Sequence, residues 1–241
     1  MHAAWLAPFL VACAVVATPR PRDLAPPISP IEARLLGIDE ARVFRVDLST
    51  ASLSVRDVNG RTLDRLRREE GASLAINAGF FDPAFAPEGL VVDAGRELSA
   101  LVPGLSGGVL SIDDRAAITA TEDYVPTDAP DFAIQCRPRL VVDGARNIAT
   151  DTGRLAARTA LCVRDEGRTL DVVVVPTDVT IYALADALVA HGCDDALNLD
   201  GGPSTGVAWR DLAGAQALEP AGPVRQAIVV HLPRGADPGR R

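Results

Sequence analysis

Apolar and polar positions alternate along this chain in many short stretches and recur at helical spacing in only two. Val43-Phe44-Arg45-Val46-Asp47-Leu48 and Leu53-Ser54-Val55-Arg56 carry the alternating period of strands with one buried face. Regular structure is therefore expected to begin near Arg42. Ser73 to Asn77, Pro87 to Val92, Gly108 to Ile112, Ala116 to Thr121, Phe132 to Gln135 and Leu140 to Val142 read as further strands. Gly95-Arg96 and Asp143-Gly144 give hairpin turns. Arg158 to Val163 and Leu170 to Val175 flank Asp165-Glu166-Gly167-Arg168, another hairpin, and Val224 to Leu232 forms a last strand.

Helical spacing appears first in Thr62 to Glu70, where Leu63 and Leu66 lie among charges and Gly71 ends the run. The Arg65-Arg67-Arg68 cluster there reads as a solvated face, offset by Asp64, Glu69 and Glu70. Ile181, Leu184, Ala185, Leu188 and Val189 define the second helix, with Asp178 or Thr180 as cap and Gly192 as stop. His191 in its last turn fits a residue that compensates the helix dipole. Hairpin signals outnumber helices. The predicted fold is α/β of the α+β type: a single domain of mixed, mostly antiparallel sheets flanked by a few helices.

The ends read differently. Trp5 to Ala17 is apolar but too short to span a membrane, which fits an export leader over residues 1–17. Val15-Val16-Ala17 suits a signal peptidase, whereas Leu10-Val11-Ala12-Cys13 resembles a lipobox that would lipidate Cys13, and both stay open. That anchor is the only membrane contact expected. Residues 18–41 form a Pro-rich linker, 42–234 the folded domain and 235–241 a disordered tail. The expected location is periplasmic or extracellular.

Composition narrows the partners. Net charge is −8 and all 24 basic side chains are arginine, scattered along the chain, so nucleic acid is excluded as a partner. Few aromatics keep any sugar-stacking surface small, and nothing here sets the oligomeric state. The cysteines show no metal spacing; Cys136 and Cys162 are the candidate disulfide pair and Cys193 a buried free thiol.

Chemistry concentrates in two stretches of one pattern. Ala196-Leu197-Asn198-Leu199-Asp200 is a short buried strand that breaks at Gly201-Gly202-Pro203, before Ser204-Thr205. Ile76-Asn77-Ala78-Gly79-Phe80-Phe81-Asp82 repeats the sequence of apolar strand, asparagine, small residues and carboxylate. Taken singly, either is a strand ending in a braced turn.

Together with Gln135-Cys136-Arg137-Pro138-Arg139 and Arg158-Thr159-Ala160, in this order, the chain resembles the phosphodiester glycosidase family from about Val43 to Leu232. It departs from the pattern at Pro203, where a third glycine is usual, at Gly206 for a second threonine, and at Cys136 and Cys162 for small residues. The resemblance implies an exported hydrolase that breaks the bond between a sugar's anomeric carbon and a phosphate. Its substrate would be a sugar phosphodiester or phosphorylated glycan. It implies Asp200 as the carboxylate by the anomeric carbon, with Asp82 or Glu88 as a second. Arg158 and the Ser204-Thr205 turn would meet phosphate, since arginine is the only basic side chain on offer. Asn77 and Asn198 would bind sugar or orient carboxylates, and Gly79, Gly201 and Gly202 allow close approach. No cofactor or metal is called for. The alternative is a non-catalytic envelope protein that holds anionic glycan or a divalent cation on the same oxygens.

Overall fold

Runs of valine, isoleucine and threonine make this chain strand over most of its length. The computed structural model describes residues 25–35, 37–126 and 130–233; the leader at 1–17, its lipobox Cys13 and the tail at 235–241 lie outside them. The chain opens with β1 (Glu32–Leu35), β2 (Ile38–Asp47), β3 (Ser52–Asp57), α1 (Leu63–Glu70) and β4 (Leu74–Asn77). There follow β5 (Val91–Asp93), β6 (Arg96–Ser99), β7 (Gly108–Ile112), β8 (Ala116–Ala120) and β9 (Phe132–Cys136). Next are β10 (Arg139–Val142), β11 (Ala145–Arg146), β12 (Leu155–Arg164), β13 (Thr169–Thr180) and α2 (Ile181–His191). The chain closes with β14 (Asp195–Asn198), β15 (Val207–Asp211), β16 (Gly214–Leu218) and β17 (Gln226–His231).

These strands form a seven-stranded sheet, ordered β1-β2-β13-β12-β14-β10-β11, and two five-stranded sheets, β16-β15-β4-β17-β3 and β6-β5-β9-β7-β8. Every ladder among the described residues is antiparallel. With two α-helices among the described residues, the fold is more β-rich than the α/β label implies. Structure also starts before Arg42, because β1 pairs with β2 within the stretch read as linker.

The long apolar run of β13 has a simple cause. Leu170, Val172 and Val174 face the core shared by the sheets, whereas Val173 and Val175 face α2. Both faces of the strand are buried, so alternation disappears. Leu184, Ala185 and Leu188 of α2 cover that second face, and Leu63 and Leu66 of α1 cover Ala75, Ala208 and Val229 of the β4 sheet. In the central core Phe44, Leu161 and Leu197 meet Ile76, Trp209 and Ile228, with Leu110 and Ile134 from the third sheet.

The helix boundaries follow their caps. Thr62 and Thr180 accept the Arg65 and Ala183 N–H groups at 3.1 Å, so Thr180, not Asp178, caps α2. Gly71 and Gly192 end the helices with φ of 65° and 88°, the left-handed region where glycine has no Cβ penalty. One residue of the arginine cluster departs from expectation. Arg67 is fully buried, donating to Ala72 O at 3.1 Å and to Asp64 at 3.0 Å.

The cysteines also pair otherwise than expected. Cys162 bonds Cys193, and Cys136 is the free, buried thiol, pushed up to about 12 chiefly by that burial. Register explains the choice. Cys162 lies opposite Ala196 in the β12–β14 ladder, which brings Cys193 beside it, while Cys136 sits in the third sheet. His191 does more than face the helix dipole, since its Nε2 lies 2.8 Å from Asp171 Oδ2. Burial pushes the Asp171 carboxyl up, but hydrogen bonds from Arg45 and His191 outweigh it and hold it below the usual range.

The disulfide closes 31 residues of chain, a loop for which a crosslink stabilises by about 3–4 kcal/mol. Replacing Cys162 and Cys193 together by alanine should lower the unfolding free energy in urea titration by that amount, with the midpoint falling by the same amount divided by the m-value; an unchanged midpoint would show the bond to be dispensable.

Candidate active site

Two strands, β4 and β14, end in asparagine, and each asparagine side chain does a separate job. Asn77 is fully buried. Its Nδ2 donates to Asp200 O at 2.7 Å, while its Oδ1 accepts Thr159 Oγ1 at 2.7 Å and Gly206 N–H at 3.2 Å. The Asp200 N–H donates in turn to Ala78 O at 3.2 Å. Both backbone polar groups of Asp200 are thus tied to the end of β4, which fixes where its side chain begins.

Asn198 is 4% exposed and lines the cleft beside Asp200. Its Nδ2 donates to Arg137 O at 2.9 Å and to Leu199 O at 2.7 Å. Two carbonyl partners settle which end of the amide is nitrogen. Its Oδ1 is consequently a buried acceptor with no hydrogen-bond partner among the described residues, the kind of group a bound donor satisfies.

The cleft has a volume of about 440 Å³ and gathers Asp200, Asn198, Arg137, Arg154 and Arg158, with Phe80 and the Gly201-Gly202-Pro203 turn as walls. Arg158 sits where the β12–β13 ladder is irregular: Arg158 pairs with Val175 but Ala156 with Val179. A bulge of this kind re-aims side chains at the edge of a sheet. Arg158 donates to Val179 O at 3.4 Å and to Arg154 O at 3.1 Å. Burial and the Arg154 charge push its guanidinium below the usual arginine range, and arginine stays charged at neutral pH regardless. Gly201 lies directly over this bulge, since a Cβ there would come within 2.9 Å of Ala157 O.

Asp200 Oδ1 accepts the Gly201 N–H at 2.8 Å. Burial is the main cause that pushes the Asp200 carboxyl above the usual range; hydrogen bonds from Ser204 and Gly201 oppose it, and the Glu88 charge reinforces it. The Ser204 hydroxyl also lies 3.1 Å from Pro223 O. It has one proton, and an ionised Asp200 is the stronger acceptor of the two. Glu88 pairs with Arg137 at 3.3 Å, and the Arg137 guanidinium stacks 5.4 Å above the Phe80 ring.

Of the residues singled out from sequence, Arg158, Asn198, Asp200, Gly201 and Gly202 share the cleft, with Asn77 and Ser204 behind Asp200. Glu88 reaches it through Arg137. Asp82 does not line it; its Oδ1 accepts the Ala86 N–H at 2.8 Å and braces the 82–86 turn. Gly79 serves packing, because a Cβ there would meet Cys136 Sγ at 3.1 Å. Thr205 lines a neighbouring groove instead. Sequence reasoning missed Arg137 as a site residue, although it stands in a quoted motif. It also missed Arg154, which stands in no pattern. Among the described residues no group of three or more His, Cys, Asp or Glu is placed to hold a metal ion.

The phosphodiester glycosidase family model matches residues 70–231, and the chain belongs to that family, whose members are hydrolases of phosphodiester glycosidic bonds. A search of curated proteins returned no match. Among solved structures, a hypothetical protein from Synechocystis superposes with a TM-score of 0.62 at 16% identity, over 80% of this chain and 59% of its own. The chain thus spans less than two thirds of that protein. The catalytic domain of zebrafish N-acetylglucosamine-1-phosphodiester alpha-N-acetylglucosaminidase, auto-inhibited by its pro-peptide, gives 0.63 at 17% identity, over 80% and 77%. A putative exported protein from Burkholderia pseudomallei gives 0.55 at 16%, over 83% and 76%. At these identities the likeness is one of fold.

Replacing Asn77 by aspartate turns its donor to Asp200 O into a second acceptor. Stability should fall by about 1–3 kcal/mol in denaturant titration, with kcat falling alongside. A variant of native stability would show that the Asn77 amide does not hold Asp200.

Proposed function

We propose that the chain hydrolyses a sugar 1-phosphodiester, either of the N-acetylglucosamine-1-phosphate type or from an envelope glycan or exopolysaccharide. The observation that carries this is one cleft holding a carboxylate with a raised pKa and three arginines. The C1–O bond breaks with its electron pair passing to the phosphate oxygen, water adds its hydroxyl to C1, and its proton goes to bulk or phosphate. A phosphate monoester leaves easily, because its second pKa lies near ~6. Ionised Asp200 stabilises the cationic anomeric carbon, directly or as nucleophile. Arg137, Arg154 and Arg158 hold the phosphate, for which their planar forks are suited. The Asn198 Oδ1 receives an N–H or O–H of the sugar. Asn77 and Ser204 act as positioning residues, and Glu88 is the second carboxylate.

The same arginines argue against the divalent-cation reading, because they would repel a cation from the Asp200 oxygens. Export is proposed with the function. It is supported by the apolar run at residues 5–17 and by the Cys162–Cys193 bond, which persists in oxidising compartments. Incubating the purified protein with a panel of sugar 1-phosphodiesters and assaying free sugar tests the reading; no release from any of them would end it.

Asp200→Asn should lower kcat about a thousandfold, the scale of losing one preorganised electrostatic partner. Its stability should move the other way. A carboxyl whose folded pKa is raised stabilises the fold fully below its unfolded value and loses that contribution as pH rises through the folded value. At neutral pH the amide removes an unfavourable buried charge, so Tm is expected to hold or rise. A large fall in Tm would mark Asp200 as structural. For the wild type, the acid limb of kcat/KM should lie above the ordinary carboxylate range and vanish in Asp200→Asn.

A further inference from the structure

A phosphodiester has two arms, and the Asp200 cleft accounts for one. A carboxylate that serves the anomeric carbon places the sugar on the Asp200 side, with the phosphate among the arginines. The alcohol arm must leave from the phosphate in another direction. Across the Gly202-Pro203 turn lies a second groove, of about 720 Å³, which shares Ala156, Gly202 and Pro203 with the cleft. The two depressions therefore adjoin across that turn.

The groove differs in chemistry from the cleft. Leu155, Ala157, Pro176, Ala217, Leu218 and Ala221 form its surface, and Leu155 is 60% exposed. Leu155 stands at the start of β12 and Ala217 and Leu218 at the end of β16, so the apolar surface rests on two sheets. Among the described residues, no arginine, asparagine, glutamine, histidine or aromatic side chain lines it. A second sugar would find neither a ring to stack on nor enough polar partners for its hydroxyls. The charged side chains present, Asp178 and Glu219, are acidic, and both Glu219 oxygens already cap α1 through the Leu63 and Asp64 N–H groups. A second phosphate or an anionic glycan would be repelled. Thr205 supplies one hydroxyl, whose buried Oγ1 has no partner among the described residues and suits a single ester oxygen.

We infer that the groove takes an alkyl chain, so that the substrate is the 1-phosphodiester of a sugar with a long apolar alcohol. The inference rests on the glycosidase reading for its location and on the groove's own lining for its chemistry. It is separable by experiment. Methyl phosphate and n-octyl phosphate carry the same head group, and only the second reaches across Pro203. Titration calorimetry on the full chain should find octyl phosphate about tenfold or more tighter, since each methylene removed from water contributes several-fold. Leu155→Asp and, independently, Ala217→Asp should bring the ratio close to one while leaving hydrolysis of a methyl sugar 1-phosphodiester unchanged. Both positions are exposed, so one variant serves if the other folds poorly. Equal binding of the two phosphates by the wild type, or a preference that survives both substitutions, overturns the inference. If no diester is hydrolysed yet the octyl preference appears and both variants abolish it, the groove assignment holds and the glycosidase reading falls.

Discussion

The site depends on one buried amide. Asn77 lies at the end of a strand in the β4 sheet, Thr159 lies in the seven-stranded sheet, and Asp200 and Gly206 bracket the turn between β14 and β15. Three hydrogen bonds from a single side chain join two sheets and the turn that carries the carboxylate. In a dry interior, each is expensive to leave unmade, so the arrangement tolerates little slack. The β14 strand enters the turn already constrained at its other end, where Cys193 bonds Cys162. Asp200 therefore stands on a frame held at both ends, as a preorganised charge requires.

The frame sets up an electrostatic contrast. Burial and Glu88 make the charge on Asp200 costly, while Gly201 and Ser204 partly offset that cost. Arginines face the same space, and Arg137 is shared with Glu88. On the proposed reading, a phosphate entering the cleft would compete with Glu88 for Arg137 and so change the charge felt by Asp200. The neighbouring groove has no arginine among its described lining residues, and its charged side chains, Asp178 and Glu219, are both acidic. Polar and apolar halves of one substrate would thus be sorted by the Gly202-Pro203 turn between them.

Much of this was readable from residue order, and the exceptions have identifiable causes. The two helices and the β12–β13 hairpin follow from caps, periodicity and turn residues, all local signals. Asn198 and Asp200 stood out because glycine and proline isolate them at a strand end. Asp82 looked equivalent, yet it does not line the cleft and its Oδ1 accepts the Ala86 N–H, a contact within its own turn that spacing does not reveal. The disulfide was misassigned because strand register across 31 residues is a tertiary property. Arg154 reaches the cleft only through the fold, and the burial of Arg67 depends on the Ala72 carbonyl that follows the helix. The start of β1 was hidden by the prolines before it, which made the whole segment resemble linker.

The central claim is that the bond broken is the one between the anomeric carbon and oxygen, with Asp200 facing that carbon. Hydrolysis in water enriched in heavy oxygen decides it. The account predicts that the label appears at C1 of the released sugar and none in the phosphate monoester. Label in the phosphate would mean attack at phosphorus and would contradict the assignment of Asp200.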